Sequence, residues 1–495
     1  MASWTPKRDR SEVQVIRRSS AFAVLLALGL SFTVEARPPE RGMPDEEGQG
    51  RPSETPDYFK SRYQWYVETW GENGKIDPEK QLARVRAEYE QYRRDLRAGR
   101  IVEVAPEGPV QPGVFRFIGP FTAAGRASTI EPHPTDPNVA YAGAAGGGVW
   151  KTVDQGANWR PLTDGLGNLS TGGIAIAPSN PNIVYFGTGE GGYATGFIPG
   201  IGIFKSTDAG ETWRVPANVL SQLVYRMLVD RTNPELVLAF TRDGVQRSAD
   251  GGLTWARTSD TTWADATDVA QVPNSPNVLH ATFANQTANG RYAKSTDFGQ
   301  TWTQKSSGLA TQGTYGRTSV GVSADGQNVF LLCSGLAAAG YEQVGFYRSG
   351  DGGETFTRSF AASPNILGGQ GWYDNVIAVD PENPSLVFAG GVGIYRSTNG
   401  GASFARTATT VHVDQHHFVF RRIGSQKVLW FANDGGIYLS TNGGTSFQDK
   451  NTGLGTRQYY GIAIDPARPN VVFAGAQDNG ITRMGENSAE NSGIT

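Results

Sequence analysis

Along most of this chain apolar residues come in short bursts closed by turn residues, not in the long stripes of amphipathic helices. Ile183-Val184-Tyr185-Phe186-Gly187 follows the Pro181-Asn182 turn, and Gly173-Ile174-Ala175-Ile176 precedes it. A third burst, Gly202-Ile203-Phe204-Lys205, leads into the turn string Ser206-Thr207-Asp208-Ala209-Gly210, and a fourth leaves that turn from Trp213. Four short strands joined by turns predict one antiparallel sheet, and the same order of bursts recurs from about Gly113 to the C-terminus. Before Gly113 the period changes. One helix is predicted from Tyr58 to Trp70 behind Asp57, and a second has Asp77 as N-cap, Pro78 at its first position and Gly99 past its end. In the second, Leu82, Val85, Tyr89, Tyr92 and Leu96 fall three or four residues apart, an apolar stripe expected to dock on the outside of the β body.

The repeat is marked by a string of the form Ser/Thr-x-Asp/Asn-x-Gly-x-Thr/Ser-aromatic, the first copy carrying Asn158 at the Thr/Ser place. Seven copies are centred on Asp154, Asp208, Asp250, Asp297, Asp351, Asn399 and Asn442, roughly 42 to 54 residues apart, the period of a four-stranded propeller blade. The fold class expected is therefore all-β: a β-propeller of seven or eight four-stranded blades, with a short N-terminal helical segment. Each string has a structural reading. The Ser/Thr and Asp side chains bond nearby amides, the Gly permits positive φ, and the aromatic packs between blades. After the seventh copy, Asn470-Val471-Val472-Phe473-Ala474-Gly475 opens an eighth repeat that reaches Gly480-Ile481-Thr482-Arg483 without another such string. Either these strands complete the ring or the array is cut short, and the second is the expectation.

Composition adds a compartment. A basic stretch (Lys7, Arg8, Arg10, Arg17, Arg18), an apolar run from Ala21 to Val34 and small residues before Arg37 predict a signal peptide over residues 1–36, with an uncleaved membrane anchor as the alternative, then a flexible leader over 37–56, the helical segment over 57–112 and the propeller over 113–495. No later run is long and apolar enough to span a bilayer, so the mature protein is expected to be secreted or to lie in the periplasm or cell envelope. Forty-four basic against 47 acidic residues leave no field of one sign to attract nucleic acid. The single cysteine, Cys333, lies in the apolar run Asn328–Cys333 and is read as a buried core thiol.

The seven strings, with Gly146-Gly147-Gly148-Val149-Trp150-Lys151 and its counterparts ahead of them, resemble the Asp-box (BNR) repeats of sialidases, xyloglucanases and the sortilin ectodomain. The resemblance is greatest to large exported bacterial proteins of the sortilin-like Asp-box group. It implies a propeller that binds an exported protein, a peptide or a polysaccharide at its channel mouth. Glycoside hydrolysis of the xyloglucanase or sialidase type is the alternative, and two departures count against it. Where xyloglucanases carry an Asp ahead of the first Gly-Gly turn, this chain reads Gly143-Ala144-Ala145-Gly146-Gly147, and of the sialidase arginines Arg126 is the nearest counterpart.

Three strings near the expected mouth depart from the repeat. Carboxylates beside aromatic rings in Trp372-Tyr373-Asp374, Asp434, and Asp478-Asn479 are candidates to grip a ligand such as a sugar, although Asp-Gly and Asn-Gly pairs also make ordinary hairpin turns. On an inner strand, alternation would put His412, Asp414 and His416 on one face, a donor set for zinc or another divalent ion and the only cofactor the sequence suggests.

Overall fold

The computed structural model describes residues 77–98, 120, 122–190, 198–218, 220–284, 290–360, 363–485 and 488–492. The expected signal peptide, leader and first helix lie outside them. The described chain is one α-helix, Pro78–Arg97, followed by eight antiparallel sheets whose strands are hydrogen-bonded in chain order, with a single 3-10 turn at Ala337–Ala339. Seven sheets have four strands. The second has three, with Arg214 adding an isolated bridge to Lys205 in the place of a fourth.

Seven of the sheets close a ring, and hydrophobic packing shows where. The inner strands of blades 1 to 7 are Ala127–Pro132, Thr171–Ile176, Val224–Val229, Ala266–Gln271, Thr318–Val322, Val376–Asp380 and Gln415–Ile423. Each neighbouring pair of blades shares its own buried cluster. Tyr141 and Val149 meet Ile174 and Phe186 between blades 1 and 2, and Leu238 and Phe240 meet Ala266 and Phe283 between blades 3 and 4. The seventh such cluster joins the ends: Ala127, Ile130 and Ala142 of blade 1 pack on Trp430, Ala432 and Leu439 of blade 7. Across that seam Arg421 pairs with Glu131, and the Gly125 amide donates to the Thr456 hydroxyl at 3.0 Å. The ring is therefore seven-bladed.

The eighth sheet, with inner strand Tyr459–Asp465, lies outside the ring. Its string Gly461-Ile462-Ala463-Ile464 repeats Gly173-Ile174-Ala175-Ile176 of blade 2, yet the two environments differ. Ile174 and Ile176 are 4% and 5% exposed against blade 1, whereas Ile462 and Ile464 are 64% and 59% exposed, with Tyr460 beside them. Identical strand chemistry is buried in one place and open in the other because only the first has a neighbouring blade.

The repeated turns share one hydrogen-bond pattern. In the second, Ser206 donates its hydroxyl to the Asp208 carboxylate and accepts the Gly210 amide at 2.8 Å, while Asp208 accepts the amide and hydroxyl of Thr212. Asn399 and Asn442 make the corresponding bonds to Ser403 and Ser446. The aromatic that follows reaches back one blade: the Trp213 indole donates to the Leu162 carbonyl and lies edge-on to Phe186 at 4.8 Å. Asp77 caps the helix by accepting the Glu79 and Lys80 amides, and Leu82, Val85 and Tyr89 bury against Leu166 and Trp213 on blades 1 and 2. Leu96, the last residue of the expected stripe, is exposed. Cys333 is buried in the blade 4–5 cluster, where burial pushes its thiol up to about 12.

Candidate functional site

Two positions in each blade face one end of the channel: the residues just before the inner strand, and the turn after the second strand. They hold most of the candidates. Arg126 precedes the inner strand of blade 1, while Glu190, Asp434 and Asp478 occupy the turns after the second strands of blades 2 and 7 and of the eighth sheet. The strand after Asp434 is short and glycine-led, and Gly436 adopts φ +111, so the chain reverses at once and leaves the carboxylate at the mouth.

Arg126 is the hub. Its Nε and Nη2 donate to the two carboxylate oxygens of Asp434 at 2.8 and 2.7 Å, a bidentate fork. Nη1 lies 3.7 Å from Glu190 and Nη2 3.6 Å from Asp478, and the guanidinium carbon stands 5.1 Å from the centre of the Tyr373 ring. The Tyr373 hydroxyl donates to Glu190, which ties the loop ahead of blade 6 to blade 2 on the far side of the channel. On the other side of Asp434 sits His416: its Nε2 bonds the Asp434 carboxylate and its Nδ1 lies 3.4 Å from Asp374. Arg226 of blade 3 donates to the His416 carbonyl at 3.0 Å, and Arg317 of blade 5 to the carbonyls of Trp372 and Tyr373. The mouth is thus floored by a buried polar network that reaches from wall to wall. In such a place every charge needs its partner.

The two aspartates of this network are driven apart. Burial alone would raise the Asp434 carboxyl, but the adjoining Arg126 guanidinium and His416 imidazole reverse that and hold it well below the usual range. Asp478 moves the other way: burial and the neighbouring Asp434 charge raise it, against the pull of Arg126. Only Asp478 of this pair opens toward solvent, with its side chain 29% exposed against 2% for Asp434. A carboxyl that holds its proton longer beside one that does not is the usual basis for separate acid and anion roles.

The other candidates divide. Trp372 is buried against Ala284, Tyr341 and Tyr373 and shapes the loop from below. Asp374 is fully buried beside His416. Asn479 donates to the carbonyls of Asp434 and Gln477 and so braces the turn that carries Asp478. The histidine string does not form the strand face that the sequence suggests. The inner strand of blade 7 starts only at Gln415, and Asp414 lies in the left-handed region at φ +64, so alternation does not extend back to His412. The His412 ring nitrogens face the carbonyls of Val413 and Asp478, Asp414 accepts from Gln370 at 3.2 Å, and His416 is held by two carboxylates. Among the described residues no group of three or more His, Cys, Asp and Glu side chains is arranged to hold a metal.

Glu190 is absent from the sequence candidates, although the chain carries a signal for it. Gly189-Glu190-Gly191-Gly192 stands at the place of Asn433-Asp434-Gly435-Gly436 in its own repeat, and lining up the turns after each second strand brings the two acids together. Arg126 is visible in the sequence only as a weak sialidase arginine, because nothing along the chain shows that blades 7 and 1 meet.

No family model matches the chain. A xyloglucanase of Paenibacillus sp. is 26% identical over 325 residues, 62% of this chain and 28% of that protein. A xyloglucanase of Hypocrea jecorina is 29% identical over 147 residues, 26% of this chain and 17% of that protein. The chain thus spans less than a third of the length of these relatives. Among solved structures, the GH74 xyloglucanase of Xanthomonas campestris superposes with a TM-score of 0.57 at 16% identity, covering 74% of this chain and 60% of that one. An ancestral GH74 enzyme gives 0.56 at 18%, covering 76% and 55%. In sequence this protein is similar to xyloglucanases, and in fold it is a β-propeller of the kind that GH74 enzymes carry.

Proposed function

We propose that this chain is the glycan-holding ring of an exported glycoside hydrolase that acts on a β-glucan of the xyloglucan class, with Asp478 as the proton-bearing carboxyl. The observation that carries the reading is Asp478 itself, half-open at the mouth, raised by burial and by Asp434, in a chain whose similar proteins are named for xyloglucan cleavage. The N-terminal signal-peptide pattern supports export. Sugar takes precedence over peptide or protein recognition because the similar proteins are named xyloglucanases and because Asp478, the part-exposed member of the Arg126 network, is a carboxyl able to hydrogen-bond sugar hydroxyls. Asp434 and Arg126 hold the field around Asp478 and touch no ligand, since both are buried.

A second reading, glycan binding without cleavage, is favoured by one feature. Ala144 and Ala145 stand in blade 1 where blade 7 has Asn433 and Asp434, so the carboxylate that hydrolysis would need opposite Asp478 is not in that turn. Incubating the mature chain with xyloglucan, measuring new reducing ends and, separately, retardation in a xyloglucan gel distinguishes the two. Hydrolysis is expected, and Asp478→Asn should slow it by about 100-fold or more, the usual worth of a general acid. Retardation without new reducing ends would move the protein to the binding reading. Neither effect would overturn both.

A further inference from the structure

The arrangement at the blade 7–1 seam recurs on the other side of the channel with its charges exchanged. At the seam, an acid in the turn after a second strand, Asp434, pairs with an arginine just before the next inner strand, Arg126. Between blades 3 and 4 the same two places hold Arg242, in the turn Thr241-Arg242-Asp243-Gly244, and Asp265, immediately before the inner strand Ala266–Gln271. Asp265 is fixed in position. Its amide donates to the Arg242 carbonyl at 2.8 Å, its carbonyl accepts the Ala284 amide at 3.0 Å, and its φ is +48. The Tyr225 hydroxyl donates to Asp265 Oδ1 at 2.7 Å. Arg242 is exposed, and Asp265 and Tyr225 are part-buried, so the group is open at Arg242, whereas Arg126, Glu190 and Asp434 of the network beside it are buried. Arg226 connects the two sides: it donates to the Tyr225 carbonyl at 3.2 Å and to the His416 carbonyl at 3.0 Å.

The geometry points to a second glycan subsite at the mouth, formed by Asp265, Tyr225 and Arg242, which holds sugar hydroxyls of a chain whose other end lies at Asp478. The inference rests on the xyloglucan reading and extends it to the length of glycan bound. Its chemistry suits a neutral polyol. Tyr225 offers a hydroxyl, Arg242 offers donors, and Asp265 can accept a hydroxyl proton or supply its own. Burial pushes the Asp265 carboxyl up to about 6, with the Tyr225 bond and the Arg242 charge opposing and Asp243 adding to the rise. It therefore changes between donor and acceptor in the mildly acidic range.

The test uses the full mature chain, Asp265→Asn and Tyr225→Phe, titrated calorimetrically with xyloglucan oligosaccharides of one, two and three repeating units, with melting curves alongside. Both substitutions keep the shape of the side chain. The expected result is a loss of about tenfold in affinity for the longest oligosaccharide in each variant, with the one-unit oligosaccharide bound as by the parent and the melting temperature within a degree or two. Equal affinities at every length would overturn the subsite and leave the function of the ring standing. A lowered melting temperature with unchanged affinities would show that Tyr225 and Asp265 merely latch blades 3 and 4, which also overturns it. If the parent binds no xyloglucan oligosaccharide at all, the functional reading fails and the subsite with it.

Discussion

At the residue scale, burial and neighbouring charges set the protonation of the groups inside this propeller. Asp434 is clamped between Arg126 and His416, and Asp478 is raised next to it. Outside the mouth, His280 is fully buried on blade 4 and hydrogen-bonded to the Tyr292 hydroxyl at 2.6 Å. Burial, reinforced by the nearby Lys294 charge, pushes it down to about 4. An unfolded chain protonates this ring from about pH 6.5 downward while the folded protein refuses the proton until about pH 4. Stability is therefore expected to fall as the pH drops through that window, by up to about 3 kcal/mol from this site. His280→Gln, which keeps an acceptor for Tyr292, should flatten the slope of unfolding free energy against pH between 6.5 and 4. An unchanged slope would assign the acid sensitivity elsewhere.

At the scale of elements, the repeated turn closes each blade's outer hairpin and also ties it to the next blade. A basic residue just ahead of the turn reaches forward to a turn carbonyl of the following blade: Lys151 to Ala209, Lys294 to Gly352 and Arg348 to Gly400, at 3.1, 2.9 and 3.2 Å. The aromatic at the end of the turn reaches backward, as Trp213 does to Leu162. Emptying the Trp213 site by alanine should cost roughly 3 to 5 kcal/mol, and the less buried Trp255 less than that, as read from chemical denaturation. The turn carboxylate is a smaller matter. Burial works to raise Asp208, but the Thr212 hydroxyl and amide and the Ser206 hydroxyl outweigh it and lower the group. Asp208 thus adds stability above the unfolded carboxyl range near pH 4, and that contribution is lost as pH falls below it. Asp208→Ala should destabilise by about 1 to 2 kcal/mol at pH 7, whereas Asp208→Asn should cost less, since asparagine accepts the corresponding serine amides at positions 399 and 442 but carries no charge.

For the whole molecule, ring closure determines which copies of a repeated string are structural. Ile174 and Ile462 sit in the same local sequence and the same strand position, and only the first is covered. Ile174→Lys should remove cooperative folding, because it buries an unpaired charge between blades 1 and 2. Ile462→Lys should leave the melting transition within about 0.5 kcal/mol of the parent, as surface substitutions do. If Ile462→Lys proved as damaging as Ile174→Lys, the eighth sheet would have to be buried in solution. The seam between blades 7 and 1 has a second consequence, since Arg126 and Asp434 meet only when it closes. The mouth network therefore reports on the intact ring.

Strand order, the all-β class and the repeat period are legible in the chain before any fold is known. They depend on local rules: bursts of β-formers, turn residues at fixed offsets, and a capped, striped helix from Pro78 to Arg97. The same rules place Asp434, Asp478 and Asn479 in turns of the right kind. Closure after seven blades is different, because Ile130 and Trp430 share one cluster across about 300 residues of chain and no local pattern records their contact. Which candidates touch is also a matter of the folded ring. Strand alternation would put His412 and Asp414 on one face, but the strand begins at Gln415, and His416 is turned toward Asp434 in the turn of its own blade and Asp374 from the loop ahead of blade 6. The charge state of Asp478 escapes local reading for the same reason: its rise comes from burial and from Asp434, a partner supplied by a different sheet. Local geometry is written in neighbouring residues, whereas a site at the centre of a ring is made of groups that only closure brings together.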